Sequence, residues 1–134
     1  MKRSVLSACA AIVQKEIEFY AGFTCLEYDV NDENTMRVAG TGIFRSIIYA
    51  NENQPYSAIE QAKTDRKPVF VRNRNSSICR KCSTNRICTG KAEVVVPLYI
   101  RQAFLGTLSV LCYDEKIHRD MLEHTEYYKN LLCM

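Results

Sequence analysis

A chain of 134 residues, 47% hydrophobic and 25% charged, carries apolar material for one globular core and too little for two. Its longest apolar run, Val94 to Ile100, is interrupted by Pro97 and Tyr99 and falls far short of the roughly 18 residues that would read as a membrane span. Seven cysteines, an odd number, and no basic-then-apolar leader with a cleavage site point to a reduced, cytoplasmic setting.

In chain order, Leu6, Cys9, Val13, Ile17 and Tyr20 recur at three- and four-residue steps, with Val5 and Ile12 broadening the stripe. Ser7, Gln14, Lys15 and Glu18 fall mostly elsewhere, so the spacing predicts an amphipathic helix that Gly22 would stop. Phe23 to Val30 is rich in aromatic and β-branched types and predicts a strand with Leu26, Tyr28 and Val30 on one face. A turn at Asn31-Asp-Glu-Asn34 and a second strand through Met36 and Val38 complete a hairpin. Gly40-Thr41-Gly42 lacks the third glycine and the downstream Lys-Ser/Thr of a phosphate loop and reads as a change of direction. Tyr56, Ile59 and Ala62 mark a short helix, broken at Asp65-Arg-Lys-Pro68, after which Val69-Phe-Val71 is a short strand.

That strand leads into Cys79-Arg-Lys-Cys82-Ser-Thr-Asn-Arg-Ile-Cys88, three thiols within ten residues that follow neither a helical nor a strand period. Soft thiolates gathered on a short polar loop suit zinc or an iron-sulfur cluster, and Cys79, Cys82 and Cys88 are the candidate metal and cofactor ligands. A plain surface loop, its thiols inert or paired, is the alternative. A closed zinc tetrahedron would need a fourth ligand, for which Cys112, Cys25 and His118 are candidates. Cys9 and Cys133 read as core or interface residues. From Lys63 to Lys91 there are nine basic residues and one acid, so positive charge and thiols share one stretch, where cations lower thiol pKa and offset thiolate charge. With Phe70 its only ring, that stretch is a poor match to a nucleic-acid surface.

Ala92 to Ile100 and Phe104 to Cys112 form the strongest strand pair, with Pro97 calling for an edge or a bulge and Gly106 for a close backbone approach or a bend. From Lys116, Ile117, Met121, Thr125, Tyr128 and Leu132 predict a closing helix that reaches Met134 uncapped, the expectation being a truncated sequence or a helix that continues. His118 and His124 stand six residues apart on different faces of it, and the carboxylates are read as scattered over helix surfaces and turns. No G-x-S-x-G or HExxH motif is present. The whole reads as an α+β sandwich around an antiparallel sheet.

Met36-Arg-Val-Ala-Gly40-Thr-Gly42, Lys67-Pro68-Val-Phe-Val71, Ala92-Glu-Val-Val-Val-Pro97-Leu and Phe104-Leu-Gly106-Thr-Leu-Ser-Val110 together resemble a GAF domain. Combined with the cysteine triplet, they are similar to the N-terminal sensory domains of bacterial sigma-54-dependent transcription activators. The resemblance implies a GAF-like central antiparallel sheet flanked by N- and C-terminal helices. It also implies a single cytoplasmic sensor domain over 1–134, with 73–91 as a cysteine-rich basic loop and 117–134 as an exit helix. A homodimer through the terminal helices would follow, with ATPase and DNA-binding modules elsewhere in the full-length protein. The domain itself would touch neither nucleic acid nor membrane.

The preferred expectation is a regulatory sensor, not an enzyme, whose Cys79, Cys82 and Cys88, with Cys112 as candidate fourth ligand, hold zinc or an iron-sulfur centre or act as a redox switch. In the second, a small molecule binds under the Gly40 to Tyr56 segment and the cysteine loop is structural. The third is a thiol-dependent reductase comparable to GAF-like methionine sulfoxide reductases.

Overall fold

The computed structural model describes residues 4–48, 58–71 and 91–113, together with 116, 119, 123 and 124. Its elements are helices α1 (Val5–Ala8) and α2 (Ala10–Thr24), strands β1 (Glu27–Asp32) and β2 (Arg37–Gly40), a 3-10 helix (Gly42–Ile47), α3 (Ala58–Asp65), β3 (Val69–Val71), β4 (Ala92–Ile100) and β5 (Ala103–Cys112). The strands make one sheet in the order β2-β1-β5-β4-β3, every pairing antiparallel. The last strand in sequence therefore lies at the centre of the sheet.

Alternation sorts the strand residues onto two faces. On one, Tyr28, Val30, Val94, Val96, Val110 and Cys112 are buried with Leu6 of α1 and Ile17 of α2. Each such aliphatic side chain contributes about 1.5–3 kcal/mol on burial. On the other face, Val69, Val71 and Val95 are covered by Ala58 and Ala62 of α3, where two alanines let the helix lie close.

Two polar joints lock the first layer to the sheet. Ser4 Oγ accepts from Ser7 N at 3.1 Å, capping α1, and donates to Asp32 Oδ2 at 2.9 Å. Asp32 Oδ1 in turn accepts from Asn34 N and Met36 N at 2.8 and 3.0 Å, which shapes the β1–β2 turn. The Gln14 carboxamide of α2 reads Gly40 from both sides, donating to its carbonyl at 2.8 Å and accepting from its N–H at 2.9 Å.

The hairpins, β3 and the reversal at Gly40-Thr41-Gly42 form as expected, and α3 runs through Ile59 and Ala62, while Tyr56 lies outside the described residues. The first helix differs: it breaks at Cys9, whose φ and ψ are −111° and 21°, and the rotated stripe runs through Ala10, Val13, Ile17 and Ala21. Tyr20 is consequently 46% exposed, with Phe19 and Phe23 in edge-on contact beside it. Gly22 does not stop α2, which continues to Thr24 and ends on Cys25 at φ 60°. β1 accordingly starts at Glu27 and keeps Asn31 and Asp32, whose composition suggests a turn, as paired strand residues. Beside Pro97 the edge forms as expected, because β3 pairs no further along β4 than Val95, and the bulge lies between Leu98 and Tyr99. Among the described residues no helix is long and apolar enough to cross a membrane.

Candidate functional site

The face shared with α3 is apolar at its β3 side and at Leu111 of β5, and polar over much of the rest. Register sets the neighbours across the rest of the sheet: Val95 lies opposite Ser109 and Ser109 opposite Asp29, while Pro97 lies opposite Thr107, Thr107 opposite Asn31 and Asn31 opposite Arg37. Directly opposed residues point to the same face, so Ser109, Thr107, Asn31, Asp29 and Arg37 form one contiguous polar patch. All are buried, at 0%, 1%, 0%, 1% and 2% exposure in that order.

Arg37 and Asp29 close on each other, Nε to Oδ1 at 2.6 Å and Nη2 to Oδ2 at 3.2 Å, the two-pronged arrangement that best repays desolvation of a buried pair. The guanidinium also sits 5.0 Å from the Phe44 ring centre. Beside them, Asn31 Oδ1 and Nδ2, Thr107 Oγ1 and Ser109 Oγ are buried without a hydrogen-bond partner among the described residues. Buried polar atoms are nearly always paired, and leaving one unpaired costs about 1–3 kcal/mol. Grouped at the middle of a sheet, they are the part of the described chain whose hydrogen bonds are left to be completed.

At the edge of this patch Glu27 takes a hydrogen bond from Thr41 Oγ1, while Thr41 Oγ1 accepts from Tyr28 N at 2.8 Å. A Cβ on Gly42, whose φ is +57°, would come within 2.8 Å of that carboxylate, so glycine makes the room for it. Glu93 lies between Val71 and Leu111 on the same face. Burial pushes its carboxyl up to about 8, Asp29 adding to the rise and Arg37 opposing it, although the residue as a whole is only partly buried. At neutral pH the protonated, uncharged form of the Glu93 carboxyl is thus the favoured one.

Between its ordinary value of 4.5 and about 8, the folded chain holds a proton on Glu93 that the unfolded chain has released. Stability therefore falls as pH rises through that interval, by up to about 1.4 kcal/mol per unit, and levels off above it. Glu93→Gln removes the titration. The variant's melting temperature should exceed that of the wild type by a margin that widens between about pH 5 and about pH 8; parallel curves would contradict the assignment.

Of the residues singled out in the sequence, Cys79, Cys82, Cys88 and His118 lie outside the described residues, as do Cys133, most of the 73–91 loop and most of the 117–134 helix. Cys112 is 0% exposed, with its side chain in the helix-side core, on the sheet face away from the polar patch. Its carbonyl accepts from Lys91 N at 2.6 Å, so the cysteine-rich segment rejoins the sheet beside it. Cys25 is exposed, Cys9 is partly buried and His124 is exposed. Among the described residues no three His, Cys, Asp or Glu side chains are grouped to hold a metal. The expectation that the carboxylates are scattered over helix surfaces and turns is corrected at Glu27, Asp29 and Glu93, which are strand residues facing one patch. The signal that could have found them was the alternation Glu27, Asp29, Asn31 against Leu26, Tyr28, Val30.

No protein-family profile matches the chain. Among solved structures, the GAF domain of the Acinetobacter phosphoenolpyruvate-protein phosphotransferase is similar over 89% of this chain and 76% of its own, with a TM-score of 0.56 at 14% identity. The chain has a GAF-like fold. A type II free methionine-R-sulfoxide reductase from Thermoplasma acidophilum is similar to this GAF-like domain over 87% of the chain and 86% of its own, with a TM-score of 0.58 at 14% identity. The fold is thus shared by the GAF domain of a phosphotransferase and by a methionine sulfoxide reductase. In sequence, the GAF-like domain is 24% identical over 136 aligned residues to UacR of Escherichia coli strain K12, provisionally assigned as a uric acid sigma-54-dependent transcriptional regulator. The match covers 96% of this chain and 23% of that regulator, so the chain spans about a quarter of its relative's length.

Proposed function

We propose that this GAF-like domain is the cytoplasmic signal-receiving module of a sigma-54-dependent transcription regulator and that it receives a small molecule on the polar sheet face. The observation that carries the reading is the set of buried, unpartnered atoms on Asn31, Thr107 and Ser109, beside a closed Asp29–Arg37 pair. The similarity to the E. coli regulator supports the regulatory setting, with ATPase and DNA-binding modules in the remainder of a full-length protein. The exposed Phe19, Tyr20 and Phe23 on α2 support a homodimer through the terminal helices. The domain is not an enzyme in this reading: of the described thiols, Cys112 points to the opposite face, and Cys9 and Cys25 belong to the helix and its cap.

A second signal enters through Cys79, Cys82 and Cys88, holding zinc or an iron-sulfur centre or switching with redox state. The placement of the loop's ends favours this reading. It leaves β3 at Val71, opposite Glu93, and returns at Lys91, bonded to the Cys112 carbonyl, so a change there acts on the strands that carry the patch.

Anaerobically purified protein separates the two inputs. Uric acid, as the first member of a metabolite panel, should raise the melting temperature equally in the wild type and in a variant with Cys79, Cys82 and Cys88 all changed to serine. Elemental analysis should find stoichiometric zinc or iron that the variant lacks. A panel with no effect on melting contradicts the ligand reading, and metal-free wild type with ordinary thiols contradicts the second.

A further inference from the structure

Asn31 offers more than an unfilled hydrogen bond. Its Nδ2 and Oδ1 are both unpartnered and the residue is 0% exposed, so one donor and one acceptor stand side by side on a fixed strand. The group complementary to a carboxamide edge is another amide with N–H and C=O on the same side. An ordinary secondary amide is trans and presents the two on opposite sides; closing it into a ring forces them together. A carboxylate, which only accepts, would leave Asn31 Oδ1 unmatched, and an ammonium, which only donates, would leave Nδ2 unmatched.

Charge points the same way. Among the described residues, Arg37 is the only cation carried by the strands, and two of its nitrogens are already committed to Asp29. Thr107, opposite Asn31, lies about 5 Å away across the strands, and Ser109 is about 7 Å further along β5, within the span of one small ring system. Val95, opposite Ser109, and Val69 beyond it pack under α3, so the apolar side of that face borders those hydroxyls.

We propose that the ligand is an uncharged ring with a cis-amide edge, a lactam or cyclic ureide, which pairs with the Asn31 carboxamide while the Thr107 and Ser109 hydroxyls bind its remaining polar atoms. This rests on the ligand-binding reading of the polar face and narrows it to a chemical class. The unpartnered hydroxyls cost the free domain stability and are recovered only in the complex.

The test uses the 134-residue chain with uracil, hydantoin and xanthine as probes. 1,3-Dimethyluracil serves as the N–H-deleted control, with benzoate as an anion and benzylammonium as a cation. Melting shifts and calorimetry are read on the wild type, Thr107→Val and Asn31→Asp. The expected result is that at least one cis-amide probe binds and 1,3-dimethyluracil does not. Thr107→Val, by contrast, should melt at or above the wild-type temperature yet bind at least about tenfold more weakly. Asn31→Asp should lose about a hundredfold or more; should that variant not fold, Thr107→Val alone decides, because a purely structural threonine would not raise stability and lower affinity together. If benzoate or benzylammonium binds in a Thr107-dependent way and the cis-amides do not, the class is wrong and the site stands. Binding of a cis-amide unaffected by either substitution overturns the assignment of Asn31 and Thr107. If none of these probes and no member of the metabolite panel binds, both readings fall.

Discussion

Arg37→Met should destabilise the domain by about 3–5 kcal/mol, because it leaves the Asp29 carboxylate buried with its fixed countercharge removed. The pair's side chains are 3% and 2% exposed, so water cannot take over from the guanidinium without opening the sheet. The Phe44 ring loses its cation as well. The double variant Asp29→Leu/Arg37→Met should recover most of the loss, since replacing both members of a buried pair with apolar groups is often neutral or stabilising. Urea unfolding of the wild type, the single and the double variant checks this. A single variant within about 1 kcal/mol of the wild type would show that the pair is solvated, as exposed pairs are. A stable double variant is also informative about function, because it keeps the fold while erasing the charged half of the patch.

Gly106→Ala should be more damaging still, with a loss above about 4 kcal/mol or failure to fold. A Cβ there would lie 2.0 Å from the Asn31 carbonyl oxygen and 2.9 Å from Asp32 Cα, on a backbone whose φ is +150°. The glycine is what lets β5 approach β1 at the level of Asn31, under Leu6 on the helix-side face. Gly22→Ala is the matched control: nothing lies within 4 Å of its Cβ position inside α2, and the change should stabilise by about 0.5–1 kcal/mol. Comparable effects at the two positions, measured by thermal or urea unfolding, would contradict the close approach of the two strands.

The two kinds of residue differ in how well the sequence displays them. Val94, Val96 and Val110 announce a strand pair by local alternation, and Ala62 with Ile59 marks α3 by its step, because periodicity is a property of a short window. The patch has no window of its own. Asp29 and Asn31 are separated from Thr107 and Ser109 by more than half the chain, and they meet only because β5 returns to pair with β1 at the centre of the sheet. Asn31 was further hidden by its neighbours, since Asn31-Asp-Glu-Asn34 has turn composition and only the register with Thr107 extends the strand through it. Tyr20 shows the opposite failure: a good helical step was read onto a helix that breaks at Cys9, and the rotation carried the ring outward. The cysteine triplet is conspicuous for a reason that does not depend on the fold, namely three thiols in ten residues.

Nuclear magnetic resonance of the uniformly labelled domain, titrated with whichever probe raises its melting temperature, tests the central claim most directly. The account predicts that the Asn31 side-chain NH2 and the backbone amides of Thr107 and Ser109 move on binding, while those of Phe19 and Phe23 on the outer face of α2 stay in place. Saturable shifts confined to α2, with the Asn31 carboxamide unmoved, would contradict it.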